Sequence, residues 1–206
     1  QLGTNLRDLG LSLLAGDVQG VMRAHINVGV CHTNRGLLAL ARAHTEEGAR
    51  LAAAHGARIA EMIAENNLAM LAADEGRLAD ARAHVARSLD RARERGLPGL
   101  AETWAVLVRV ALEEGQADEA REAARKVREV ARASERTLAA RVEARLDAGG
   151  ARDALRATLA EVVDDPYERA TTRLALAAAE RAAGDAATAT RLEAEADAAL
   201  EALGAD

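Results

Sequence analysis

Glycine followed five positions later by alanine recurs along this chain, as Gly36 with Ala41, Gly76 with Ala81, Gly115 with Ala120, Gly149 with Ala154 and Gly184 with Ala189. The glycines are 40, 39, 34 and 35 residues apart. Self-similarity at that period is the signature of stacked helical hairpins, in which no unit buries its apolar face alone. Other residues share the period: Ala-Arg-Ala-His stands at 41–44 and again at 81–84, and Ile26-Asn27-Val28-Gly29 has its counterpart in Asn66-Asn67-Leu68-Ala69. Composition excludes the main rival fold class. Of 206 residues 53 are alanine, with no Phe, one Trp, one Tyr and two Pro, and this mixture favours helix and starves a sheet of the β-branched and aromatic residues it needs. The fold class is therefore all-α. Methyl-sized side chains let helices approach closely and leave few large groups to line a small-molecule pocket.

Charge and cysteine usage bound the function classes. Residues 1 to 100 carry 12 basic and 11 acidic groups and residues 101 to 206 carry 15 and 22, so the second half stands at -7. A nucleic-acid or anionic-membrane surface needs a concentrated basic field, and neither partner is expected. The single Cys forms no internal disulfide, and no apolar run of about 20 residues or signal-peptide pattern is present. A cytoplasmic location is the expectation.

Local signals divide the chain into about 11 helices in one solenoid spanning 1–206. Asp17 after Gly16, Ser134, and Asp165-Pro166-Tyr167-Glu168 supply helix starts, the last with an N-cap Asp, Pro at the first helical position and Glu at the third. The expected units are a half-repeat helix over 1–16 that continues a unit preceding Gln1, then hairpins over 17–56, 57–97, 98–133, 134–164 and 165–206. The acidic last helix, with Glu193, Glu195, Asp197 and Glu201, reads as a polar solenoid cap.

On these residues the chain resembles the tetratricopeptide repeat family, a helix-turn-helix unit marked by a large residue, a Leu-Gly pair and a later small residue. Val28-Gly29, Leu68-Ala69 and Leu107-Val108 stand at the Leu-Gly pair, Trp104 at the early large position, and Ala41, Ala81, Ala120, Ala154 and Ala189 at the small one. The hairpin from Asn66 to Gly96 matches best, while Thr45, Val85 and Ala124 replace the family's aromatic residue. The resemblance implies a right-handed superhelix of antiparallel hairpins whose concave groove, lined by each first helix, receives an extended peptide. Asparagines at the positions of Asn27 and Asn67 then hold the peptide backbone, for which an amide offers both donor and acceptor. In that register Arg23, Val30, Asn34, Met70, Asp74, Glu102 and Arg109 face the groove, with Arg136 and Glu143 further along.

Asparagine within a helix costs about 0.6 kcal/mol relative to Ala, so Asn27, Asn66 and Asn67 call for a compensating role, either ligand contact or a tie between neighbouring helices. Catalytic chemistry finds little support. The histidines at 25, 32, 44, 55 and 84 include no metal-ligand spacing, Cys31 and His32 point about 100° apart on a helix, and the pairs Glu113-Glu114 and Asp164-Asp165 lie at helix ends. No phosphate-binding loop exists and the only lysine is Lys126. Catalytic residues, metal and cofactor are each expected to be none. The expected function is a non-catalytic protein-interaction module, resembling the sensor or scaffold regions of bacterial multidomain regulators of the LuxR-type and nucleotide-switch ATPase kind. The alternative is a self-assembly module.

Overall fold

The computed structural model describes residues 2–132, 135–146, 148–161 and 165–203, with backbone alone at 136, 148, 149 and 161. These residues form eleven helices and no strand: α1 Leu2–Ala15, α2 Val18–Thr33, α3 Leu38–Ala54, α4 Arg58–Asp74, α5 Leu78–Glu94, α6 Ala101–Glu113, α7 Ala117–Val130, α8 Arg136–Leu146, α9 Ala148–Glu161, α10 Pro166–Ala182 and α11 Ala186–Ala202. Consecutive helices pack as the hairpins α2–α3, α4–α5, α6–α7, α8–α9 and α10–α11, while α1 packs on α2 and α3 on α4. Each first helix also touches the next, α2 with α4, α4 with α6, α6 with α8 and α8 with α10, and among the described residues no pair of second helices packs comparably. First helices therefore line the inner side of the curve. The result is a solenoid of helical hairpins resembling tetratricopeptide repeats.

Glycines at 16, 36, 56, 76 and 96, one every 20 residues, take φ between 63 and 70°. They close both the turn inside a hairpin and the turn between hairpins. The N–H following each returns to a carbonyl five residues back, as Arg77 to Ala72 at 2.8 Å and Leu97 to Ala92 at 2.9 Å. This is a Schellman ending, whose left-handed residue glycine adopts without steric cost. Gly115 and Gly184 repeat it. Gly149 does not, because it lies inside α9, and its partner Ala154 is exposed. Glycine near a helix start needs no positive φ, and the core positions of α9 are instead Ala151 and Leu155. Ala41, Ala81, Ala120 and Ala189 are fully buried.

Capping follows the sequence at two of its three start signals. The Asp17 carboxylate accepts from Gly20 N–H at 3.0 Å and that of Asp165 from Glu168 N–H at 3.0 Å. The third, Ser134, lies outside the described residues, as does Asp164 of the acidic pair.

Candidate functional site

Three adjoining cavities run along the inner side. The first, about 750 Å³, opens between α2, α4 and the 97–100 connection, and the second, about 490 Å³, continues it past Ile59 and Ile63 to Arg23 and Asn27. The third, about 940 Å³, shares Met70, Glu102 and Glu135 with the first and extends along α6, α8 and α10. Together they make one groove. Its central wall is apolar, because Val30, Ile59, Ile63, Met70 and Leu97 are exposed large hydrophobics and all line the first cavity.

Helical periodicity places these side chains. Ile59, Ile63, Asn67, Met70 and Asp74 follow at steps of four, four, three and four along α4, and Gln19, Arg23, Asn27, Val30 and Asn34 repeat the steps along α2 and its C-cap. Val30, Asn34, Asn66, Asn67, Met70 and Glu102 line the first cavity; Arg23 and Asn27 line the second; Asp74 and Arg109 line the third. Of the residues further along, Arg136 has no described side chain, and Glu143 pairs with Arg128 of α7.

The asparagines have different surroundings. Asn66 is buried, and its carbonyl accepts from Thr103 Oγ1 at 2.8 Å; Thr103 lies 3.2 Å from Ser88 Oγ, which donates to the Met62 carbonyl at 3.0 Å. Asn66 thus ties α4, α5 and α6 together. Among the described residues Asn67 is bonded only through its carbonyl, from Asn66 at 3.4 Å, and its amide nitrogen is buried without a partner. Asn27 is exposed and makes no side-chain hydrogen bond among the described residues.

The charged residues differ likewise. Arg109 donates to Asp74 at 2.6 Å, Glu113 at 2.9 Å and the Ala73 carbonyl at 2.7 Å, which joins α6 to the end of α4. Burial opposes its charge, but the hydrogen bonds and charges of Asp74 and Glu113 outweigh this and raise its pKa. Arg23 has no ion pair or hydrogen bond among the described residues. Arg141, which sequence reasoning missed, donates to Glu168 at 2.6 Å beside Thr137, and Tyr167 borders the same cavity with a phenol pKa raised by burial. Ile59, Ile63 and Leu97 were also missed, although Ile59 and Ile63 hold the register positions of Gln19 and Arg23.

Four of the five histidines have close neighbours, and His55 is exposed. His25 and His44 bring their Nδ1 atoms to 3.1 Å, and the ring of the buried His32 stacks on His44 with centroids 5.5 Å apart. His84 instead meets Glu65 at 2.7 Å. Cys31 is half-buried and accepts from the Asn5 amide at 3.2 Å. Among the described residues no three His, Cys, Asp or Glu side chains are arranged to hold a metal ion, and no helix is long and apolar enough to cross a membrane.

Comparison with known proteins agrees with this architecture. Residues 60–133, the stretch of α4 to α7, match the family model of the tetratricopeptide repeat, and repeats of that family generally mediate protein–protein interaction. No curated protein matches the chain. Among solved structures it is similar to BtubC (BKLC) from P. vanneervenii, with 18% identity, a TM-score of 0.60, and coverage of 100% of this chain and 92% of that one. At this identity the similarity is one of fold.

Proposed function

We propose that the concave groove binds an extended segment of a partner protein. The observation that carries this reading is the concentration of exposed apolar side chains, Val30, Ile59, Ile63, Met70 and Leu97, in one cavity beside the unpartnered amide nitrogen of Asn67. An apolar surface of this kind gains by covering, and a buried unpaired donor gains a hydrogen bond when a peptide carbonyl reaches it. Arg23, Asn27 and Asn34 extend the same wall, and Glu102 stands where the two larger cavities meet. Asn66 and the Asp74–Arg109 pair serve as its frame, since their polar atoms are already engaged. The further placement, as sensor or scaffold of a bacterial regulator in the cytoplasm, draws on the family resemblance of Asn66-Asn67-Leu68-Ala69 and the 40-residue hairpins.

The test compares proteins captured from a lysate by the wild-type chain, Ile63→Asp and Asn67→Ala, all equally helical by circular dichroism. Partners retained by wild type and lost from both variants support the groove. An unchanged set from both variants moves binding elsewhere. Self-assembly is favoured by one observation, the exposed Leu6, Leu11, Leu13 and Leu14 of α1. Mass rising with concentration in sedimentation, and restored to monomer by Leu13→Glu with Leu14→Glu, would place self-association on that helix.

A further inference from the structure

On the outer side of the last hairpins one cavity is lined by more arginine than carboxylate, within the acidic half of the chain. A cavity of about 510 Å³ opens between the second helices α9 and α11 over α10, and its charged lining is Arg156, Arg169, Arg173 and Arg191 against Glu180 and Glu195. Among the described residues four guanidinium groups therefore face two carboxylates, and each carboxylate already has an arginine beside it, although Glu180 Oε2 is buried without a hydrogen bond. Glu180, fully buried, accepts from Arg156 at 2.5 Å and has Arg152 at 3.6 Å. Glu195 accepts from Arg191 at 2.7 Å and lies 3.3 Å from Arg173. Arg169 is half-buried on α10 and has neither an ion pair nor a hydrogen bond among the described residues.

Earlier hairpins balance their outer arginines. Arg42 of α3 pairs with Glu75, and Arg82 of α5 reaches Glu114 at 2.5 Å and Glu119 at 2.8 Å, so each guanidinium there meets a carboxylate of the next unit. The surplus belongs to the α9–α11 cavity. A guanidinium presents five donors in a planar fork that matches carboxylate and phosphate oxygens, and partial burial removes some of its water without replacing it. On α10 the cavity is lined by Arg169, Arg173, Leu176 and Glu180, whereas Tyr167, Thr171, Leu174 and Ala178 border the inner groove. The two faces of one helix thus serve two separate surfaces.

We propose that this cavity is an anion site, taking a carboxylate or phosphate group with Arg169 as the direct donor and Arg173, Arg191 and the Thr188 hydroxyl around it. The site is compact and set in a net-negative surround, so one localised anionic group suits it better than a long polyanion. It lies apart from the concave groove and stands whether or not that groove binds a peptide.

The test is calorimetric titration of the whole chain at low ionic strength with two probes, inorganic phosphate and a hexaglutamate peptide. Among the described residues Arg169→Gln breaks no ion pair, and Arg121→Gln on α7 is the control, since its guanidinium pairs there only with the exposed Asp118. Binding of at least one probe by wild type, weakened at least about tenfold in Arg169→Gln and unchanged in Arg121→Gln, is expected from the loss of one charge-assisted hydrogen bond. Hexaglutamate alone would mark an acidic protein segment as the ligand, and phosphate alone would mark a phosphate group. Failure of both probes to bind, or equal affinity in Arg169→Gln, overturns the proposal.

Discussion

Hairpins α2–α3 and α4–α5 correspond residue for residue at an offset of 40, yet they close the same helix crossing by different means. In α2–α3 the crossing depends on shape: Gly48 admits the Ile26 side chain, and a Cβ added at 48 would stand 2.7 Å from Ile26 Cγ1. In α4–α5 the equivalent positions are Ser88 and Asn66, held through Thr103 by hydrogen bonds. The neighbouring contact differs in the same sense. Gly29 admits Thr45 so closely that a Cβ there would collide with its hydroxyl, whereas Ala69 and Val85 form an apolar pair. One backbone geometry therefore tolerates either complementarity of volume or a satisfied polar network, provided each is complete.

The largest effect is expected from Thr103→Val, which keeps the volume and removes the hydroxyl. The Asn66 carbonyl is then left buried without its donor, at a cost of about 1–3 kcal/mol. Chemical denaturation of the variant measures it, and a stability equal to wild type would mean that the network contributes shape alone. A somewhat smaller loss, about 1–2 kcal/mol, is expected for Gly48→Ala, because overpacking against the β-branched Ile26 outweighs the gain of up to about 1 kcal/mol in helix propensity. In a double-mutant cycle with Ile26→Ala, which removes the colliding γ-carbon, Gly48→Ala should no longer destabilise. A Gly48→Ala protein more stable than wild type would show that α2 and α3 separate freely, and the comparison would fail on the side of shape.

Much of this was legible in the sequence because it rests on period and local chemistry. Eleven helices, their hairpin order and the Asp17 and Asp165 caps follow from spacing, glycine and capping residues, all of which act within a turn or two. The Gly149–Ala154 pair misled because Gly149-Gly150 looks like a turn signal while being compatible with a helix start. The asparagines show a different limit. Asn66 and Asn67 are adjacent and chemically identical, and only the placement of Thr103 from α6, 37 residues away, determines that one ties helices and the other borders the groove. Arg169 was illegible for the same reason: that no carboxylate pairs with it among the described residues depends on how α9 and α11 meet α10. Ile59 and Ile63, in contrast, could have been read by extending the register already applied to Arg23 and Met70.

The smallest expected effect sharpens the comparison through pH. His25 and His44 both have pKa values lowered from the ordinary 6.5, His25 by burial against a countering Glu47, and His44 by burial together with His25 and His32. Unfolding frees these rings to bind protons, so the stability they support is full above about pH 6.5 and declines as pH falls through their lowered folded values. Glu65 holds the position of His25 in the next hairpin, and its carboxyl is lowered from 4.5 because the hydrogen bonds and charges of His84 and Arg87 outweigh its burial. Its stabilising contribution is present above about pH 4.5 and is lost only in stronger acid. Moving from pH 7.5 to 5.5 should therefore loosen α2–α3 and leave the Glu65 contribution to α4–α5 intact, as read by amide hydrogen exchange corrected for the intrinsic pH dependence. His25→Glu should give α2–α3 the response of α4–α5, because a carboxylate facing His44 favours its protonated form. Equal loosening of both hairpins, or a His25→Glu chain that still loosens at α2–α3, would show that the imidazole pair does not set the difference.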